Sequence, residues 1–130
     1  MFIRSLSILV VLFFSISQAV AGDVCENAQA RYNEMKSTLP SDEGLIIVTL
    51  YKYNFCPKQV TIKKDSTVRF VNVDKRTSHS VWLKEDGKEE SDRFFPEEFW
   101  DIKFEFIGNF PYLCGPHWEQ KGMVGSVTVE

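Results

Sequence analysis

Basic clusters, internal repeats and low-complexity tracts are all missing from this sequence. Lysine and arginine nowhere gather into the stripe that nucleic-acid binding requires, and the formal net charge is −3. No nucleic-acid partner is expected, and an acidic chain favours basic partners. Beyond the first 21 residues, no run is apolar and long enough to cross a bilayer, which takes about 20 such residues. Histidine is scarcest of the reactive types, with only His79 and His117. That scarcity argues against an enzyme whose metal sites are built from several imidazoles. The expectation is therefore not an enzyme, with no small-molecule substrate.

What is present begins with a leader. Arg4 supplies a short positive region, Leu6 to Ile16 is almost wholly apolar, and Ala19-Val20-Ala21 is a small-x-small cleavage site. This pattern reads as a secretory signal peptide over residues 1–21, cleaved near Ala21. The chain is then periplasmic or otherwise exported, begins near Gly22, and has the length of one small domain. Loss of Arg4 leaves it more acidic. Three cysteines remain, Cys25, Cys56 and Cys114. An odd number in an exported chain leaves one over. The simplest division pairs Cys25 with Cys56 and leaves Cys114 for chemistry; the alternative is that Cys25 and Cys56 are free buried thiols.

Val24 to Leu39 has helical character, with Ala28, Ala30, Tyr32, Met35 and Leu39 on one broad face, Asp23 as N-cap and Pro40 as the stop. Residues 22–44 are thus expected to form a helical extension and linker. From Leu45 the pattern changes to short strands: Leu45–Tyr53, the Val60–Ile62 region, Val68–Val73, Ser80–Leu83, Asp101–Phe106, Phe110–Cys114 and Val124–Val129. Ile102, Phe104 and Phe106 are expected on one face, and Arg69 and Asn72 toward solvent. Turn signals at Lys64-Asp65-Ser66, Glu85-Asp86-Gly87 and Gly108-Asn109 separate these runs. Many short strands with turns between them predict an all-β sandwich or barrel over residues 45–130. Residues 85–101 carry eight carboxylates mixed with Phe94, Phe95, Phe99 and Trp100. They read either as a solvated loop anchored by aromatics or as an acidic docking surface.

The chemistry concentrates in Tyr112-Leu113-Cys114-Gly115-Pro116-His117, followed by Gly122-Met123-Val124-Gly125. A thiolate, an imidazole and a thioether sit in one loop before a final strand. The remaining imidazole is His79, in Ser78-His79-Ser80-Val81. Two imidazoles, one thiolate and a weak axial thioether form the ligand set of a blue-copper electron-transfer site. Thiolate and thioether favour Cu(I), imidazole suits both oxidation states, and zinc gains little from a thioether.

On these stretches, with Phe55-Cys56-Pro57-Lys58-Gln59-Val60-Thr61-Ile62 and Thr67-Val68-Arg69-Phe70-Val71-Asn72, the chain resembles the cupredoxins. The likeness is to small plastocyanin-like and amicyanin-like members, from about Val48 to Val129. It implies a Greek-key β-sandwich holding one type 1 copper on His79, Cys114, His117 and an axial residue. Two departures stand out. Many cupredoxins carry Asn after the first histidine, where this chain has Ser80, whose backbone N–H can still face the Cys114 sulfur. Plastocyanin-like members place the axial Met five residues after the second histidine and amicyanin-like members three. Here Met123 is six after, and Gln120 occupies the three-after position. Ligand softness favours Met123, with the extra residue bulging outward, and Gln120 stays open as the alternative.

The function implied is a one-electron carrier cycling between Cu(I) and Cu(II), with exchange through His117. Its partners would be redox proteins such as a cytochrome or a terminal reductase, and a monomer is expected. A copper chaperone or storage protein is the alternative, although such proteins tend to be rich in Met and His. A copper-free sandwich with Cys114 in a disulfide is the remaining one.

Overall fold

Residues 23–130 are described by the computed structural model; the signal-peptide reading falls outside them. Asp23 caps the first helix, accepting the Cys25 N–H at 3.1 Å, and α1 runs Val24–Met35 before a 3-10 turn, Lys36–Thr38. Seven strands follow: β1 Ile46–Tyr51, β2 Asn54–Cys56, β3 Gln59–Ile62, β4 Thr67–Asn72, β5 Phe99–Lys103, β6 Gly108–Leu113 and β7 Val124–Val129. A helical turn, α2 Trp118–Lys121, lies between the last two. One sheet has the order β2-β1-β4-β5 and the other β3-β7-β6. β1 pairs with β4, and β3 with β7, in parallel; the other neighbours are antiparallel. Parallel neighbours cannot be joined by a tight hairpin, so the chain crosses between sheets, as a Greek-key sandwich requires.

The inner faces meet in one apolar core. Val48, Leu50, Phe55, Val68 and Phe70 come from the first sheet, Tyr112, Val127 and Val129 from the second, and Leu83 and Phe104 from the connections. The Phe55, Phe70 and Tyr112 rings meet edge to face, with centroids 4.8–6.1 Å apart. The outer face of the first sheet is covered as well. Ala28 and Tyr32 of α1 pack on Val71 and Val73, and a Cys25–Cys56 disulfide fastens the helix, with Cα atoms 5.2 Å apart.

That second cover explains why β4 alternates poorly. A strand buried on both faces has no solvent side, and Arg69 and Asn72, expected outside, are 5% and 0% exposed. Arg69 is satisfied where it lies. Its guanidinium holds both oxygens of Asp101, at 2.8 and 3.0 Å, and donates to the Pro40 and Ser41 carbonyls. Three further expectations change. Ser80–Leu83 is no regular strand but makes isolated bridges, His79 with Phe94 and Trp82 with Leu113. The strand expected at Asp101–Phe106 starts earlier and ends at Lys103, leaving Phe106 73% exposed rather than in line with Phe104. Phe99 and Trp100, read as loop anchors, open that strand.

Candidate metal centre

Cys114 lies just beyond β6, where Gly115 and Pro116 turn the chain out of the sheet. The turn is held by the Cys114 carbonyl, which accepts the N–H groups of His117 and Trp118 at 3.1 and 2.9 Å. α2 then takes up the added loop length. It ends at Gly122, whose φ of 62° is the left-handed conformation that glycine adopts without penalty. The Cys114 N–H donates to the Met123 carbonyl at 3.0 Å and closes the loop. The added length is thus wound into a helical turn with Glu119, Gln120 and Lys121 exposed, while Met123 is 1% exposed in the core.

The His79 segment reaches this loop through its bridges. Trp82 and Leu113 exchange two backbone bonds at 2.8 and 3.1 Å, and His79 and Phe94 exchange two at 3.1 and 2.9 Å. As a result, His79 Nδ1 lies 3.7 Å and His117 Nδ1 3.4 Å from Cys114 Sγ. One donor atom from each of the three residues lies within 4.8 Å of the others. Metal–nitrogen and metal–sulfur bonds of about 2.0–2.3 Å in a trigonal array separate their donors by roughly 3.5–4 Å. The spacing and the soft, nitrogen-and-sulfur donor set both fit copper.

The surroundings of the two imidazoles differ. His79 is fully buried, and its Nε2 meets Asp74 Oδ2 at 2.5 Å, which leaves Nδ1 facing the sulfur. Asp74 also accepts the Lys52 N–H at 3.1 Å, and its own N–H donates to Asn72 Oδ1 at 3.0 Å. The Asn72 amide donates in turn to the Thr77 and Phe94 carbonyls. A carboxylate behind a ligand histidine orients the ring and raises its basicity. His117 is half-buried and its ring meets Tyr53 edge to face, centroids 4.9 Å apart. Tyr53 sits in the β1–β2 turn, where Lys52 and Tyr53 both have positive φ, a combination bulky residues rarely adopt.

The thiol of Cys114 is pushed up chiefly by burial, while hydrogen bonds from Ser80 pull it down; the Ser80 N–H lies 3.5 Å from Sγ, as the sequence allowed. Burial, then the charges of His79 and Arg93, hold the His117 imidazole below its ordinary range. A neutral imidazole is ready to ligate, and the thiol must lose its proton when metal binds. Asp74, Tyr53 and Glu90, which contacts Ser80, carried no sequence signal; their roles come from contacts made only in the folded chain.

A family model described as copper binding proteins, plastocyanin/azurin family, matches residues 44–130. The chain belongs to the plastocyanin/azurin family of copper-binding proteins. Plastocyanin of Scenedesmus fuscus is 30% identical over 102 residues, covering 71% of this chain and 95% of that protein. Chloroplastic plastocyanin of Chlamydomonas reinhardtii is 33% identical over 86 residues, and the chain spans only 58% of its length, with 58% of this chain covered. Amicyanin of Paracoccus versutus superposes with a TM-score of 0.61 at 28% identity, covering 72% of this chain and 87% of that one. An oxidized amicyanin mutant at 21% identity, TM-score 0.63, covers 72% and 89% and shares the fold. The cofactor of this cupredoxin is a single copper ion.

Proposed function

We propose that the protein is an exported blue-copper electron carrier in which His79, Cys114 and His117 hold the metal and Met123 is the axial ligand. Copper, when bound, supplies a one-electron couple. The observation that carries the reading is the convergence of one thiol and two imidazoles at a site where only one imidazole is reachable. His79 is sealed at 0% exposure and braced by Asp74, whereas His117 stands half-buried at the surface. The His117 edge, with Tyr53 against it and half-buried Pro116 and Trp118 beside it in the chain, is where electrons enter and leave. An apolar rim of this kind keeps water out and lets a partner's redox group come near. The two imidazoles are both engaged as ligands, which leaves no histidine for a second, open copper site, so the protein carries electrons rather than transforming a substrate. Its partners are redox proteins such as a cytochrome or a terminal reductase, met outside the cytoplasm as residues 1–21 suggest.

Met123 is favoured over Gln120 by burial and by its backbone bond to Cys114; Gln120 is on the exposed side of α2. Titration of the metal-free protein with Cu(II) is expected to produce an intense thiolate-to-copper absorption band and narrow EPR hyperfine splitting. A colourless, weakly bound copper would sink the reading. Met123→Ala is then expected to move the midpoint potential strongly and Gln120→Ala hardly at all; the reverse pattern makes Gln120 the axial ligand.

A further inference from the structure

One carboxylate of the acidic 85–101 segment turns inward to the copper loops. Ser80, fully buried beside His79, donates its hydroxyl proton to Glu90 Oε1 at 2.6 Å. The same hydroxyl accepts the Gly115 N–H at 2.9 Å, and Gly115 directly follows Cys114. A serine hydroxyl has one proton and two lone pairs. Committing the proton to Glu90 sets the rotor so that a lone pair faces Gly115. The fit is tight: a Cβ on Gly115 would lie 1.7 Å from Glu90 Oε1, so glycine at 115 and glutamate at 90 are matched. Asp86 in the same segment, by contrast, meets only Lys88 at 3.9 Å, with both side chains exposed.

We propose that Glu90 is a positioning residue of the copper centre, tying the His79 segment to the Cys114 turn through Ser80 and placing a negative charge beside the thiolate. The proposal rests on the copper-carrier reading above. The tie joins the two loops that carry the three ligands, and it does so next to the Ser80 N–H that faces Sγ. Outer partners of this sort fix ligand orientation and tune the metal. A nearby negative charge favours the more positive oxidation state by Coulomb attraction. Glu90 therefore holds the potential below the value the same ligands would otherwise give. It also assigns part of the acidic segment to the site rather than to a docking partner.

The test separates tie from charge with Glu90→Gln, Glu90→Ala and Ser80→Ala. Amide hydrogen exchange at Gly115 is read in the metal-free protein, and midpoint potential and EPR hyperfine splitting in the copper-loaded one. Glu90→Gln keeps an acceptor for Ser80, so Gly115 protection should stay at the parental level while the potential shifts positive. Glu90→Ala should speed Gly115 exchange several-fold, shift the potential positive and alter the hyperfine splitting. Ser80→Ala should speed the exchange most. Unchanged exchange and unchanged splitting in Glu90→Ala would overturn the proposal, as would a Glu90→Gln potential equal to the parent's. The Glu90 variants decide the matter even where Ser80→Ala does not fold, because Glu90 is an exposed residue. A parent protein that never turns blue would defeat the carrier reading alone, with the exchange experiment still deciding whether the tie exists.

Discussion

The helix flank and the copper end of this molecule are held by different means. At the flank, α1 is fastened by the Cys25–Cys56 disulfide and by Ala28 and Tyr32 packed on Val71 and Val73. Arg31 adds a bond to the Val73 carbonyl and the Tyr32 hydroxyl one to Asp42, at 2.6 Å. At the copper end no covalent link joins the loops. His79 is set by Asp74, Asp74 by Asn72 and the Lys52 N–H, and Gly115 by Ser80. Cross-links and apolar burial supply stability without needing accurate geometry. A satisfied buried polar network supplies accurate geometry at little net stability. The two regions should therefore come apart under substitution, one changing the melting temperature and the other the metal.

The largest effect is expected at the flank. The bridged cysteines are 31 residues apart in sequence, and closing a loop of that size is worth roughly 3–4 kcal/mol. The Cys25→Ser, Cys56→Ser double variant should unfold at a temperature lower by about 10–20 °C, measured by calorimetry on the metal-free protein. Its copper-loaded absorption and EPR spectra should match the parent's. A changed spectrum would break the comparison by showing that the helix shapes the site.

The second effect reverses the pattern. Asp74→Ala leaves the His79 Nε2 proton and the Lys52 N–H without their buried acceptor, a cost of about 1–3 kcal/mol. His79 Nε2 and the Lys52 N–H bond to different oxygens of Asp74, so Asp74→Asn keeps one oxygen to accept from the ring, turns its NH2 toward Lys52 and removes the charge behind the ring. Asp74→Asn is expected to raise the midpoint potential while the hyperfine splitting stays near the parent's, whereas Asp74→Ala should change both. If the two variants behave alike in potential and splitting, Asp74 contributes charge alone and the ring is oriented by packing.

The clustering of three side chains was readable because their types are few. With two histidines and three cysteines in the chain, Cys114, His117 and His79 could be grouped from type and order alone. Asp74 and Glu90 were hidden among 18 carboxylates, and nothing local marks which ones turn inward. Asp74 meets His79 and Glu90 meets Ser80 within the loops between β4 and β5, whose course is fixed by bridges such as His79 with Phe94 and by no local pattern. Sandwich class was readable from strand spacing, and Asp23 as N-cap from its residue type. β4 misled because Arg69 is covered by the Pro40–Ser41 segment and Asn72 by the Thr77 and Phe94 backbone, covers that alternation along one strand cannot report. Phe106 misled because the pairing of β5 with β4 stops at Thr67 and Lys103, leaving the period to run on into a loop.

The smallest effect belongs to Tyr32 and Asp42, where the flank has its own polar tie. Burial first, and then the bond to Asp42, push the Tyr32 hydroxyl up to about 12 from 10.0. The same bond holds the Asp42 carboxyl below its ordinary 3.8. The signs follow from proton counting. Between pH 10 and about 12 the folded chain keeps a proton that the unfolded chain has released. That contribution is complete below pH 10 and is lost as pH rises through 12. On the acid side, the folded chain binds fewer protons than the unfolded one below pH 3.8. That contribution is complete above 3.8 and is lost as pH falls through the lowered value. Tyr32→Phe should therefore lower the melting temperature by a few degrees at neutral pH and flatten its decline at both extremes, with the copper spectrum unchanged. A spectrum that moves with Tyr32, 47 residues before His79 in the chain, would mean that even a weak polar tie at the flank reaches the metal, and that the two regions are one mechanical unit.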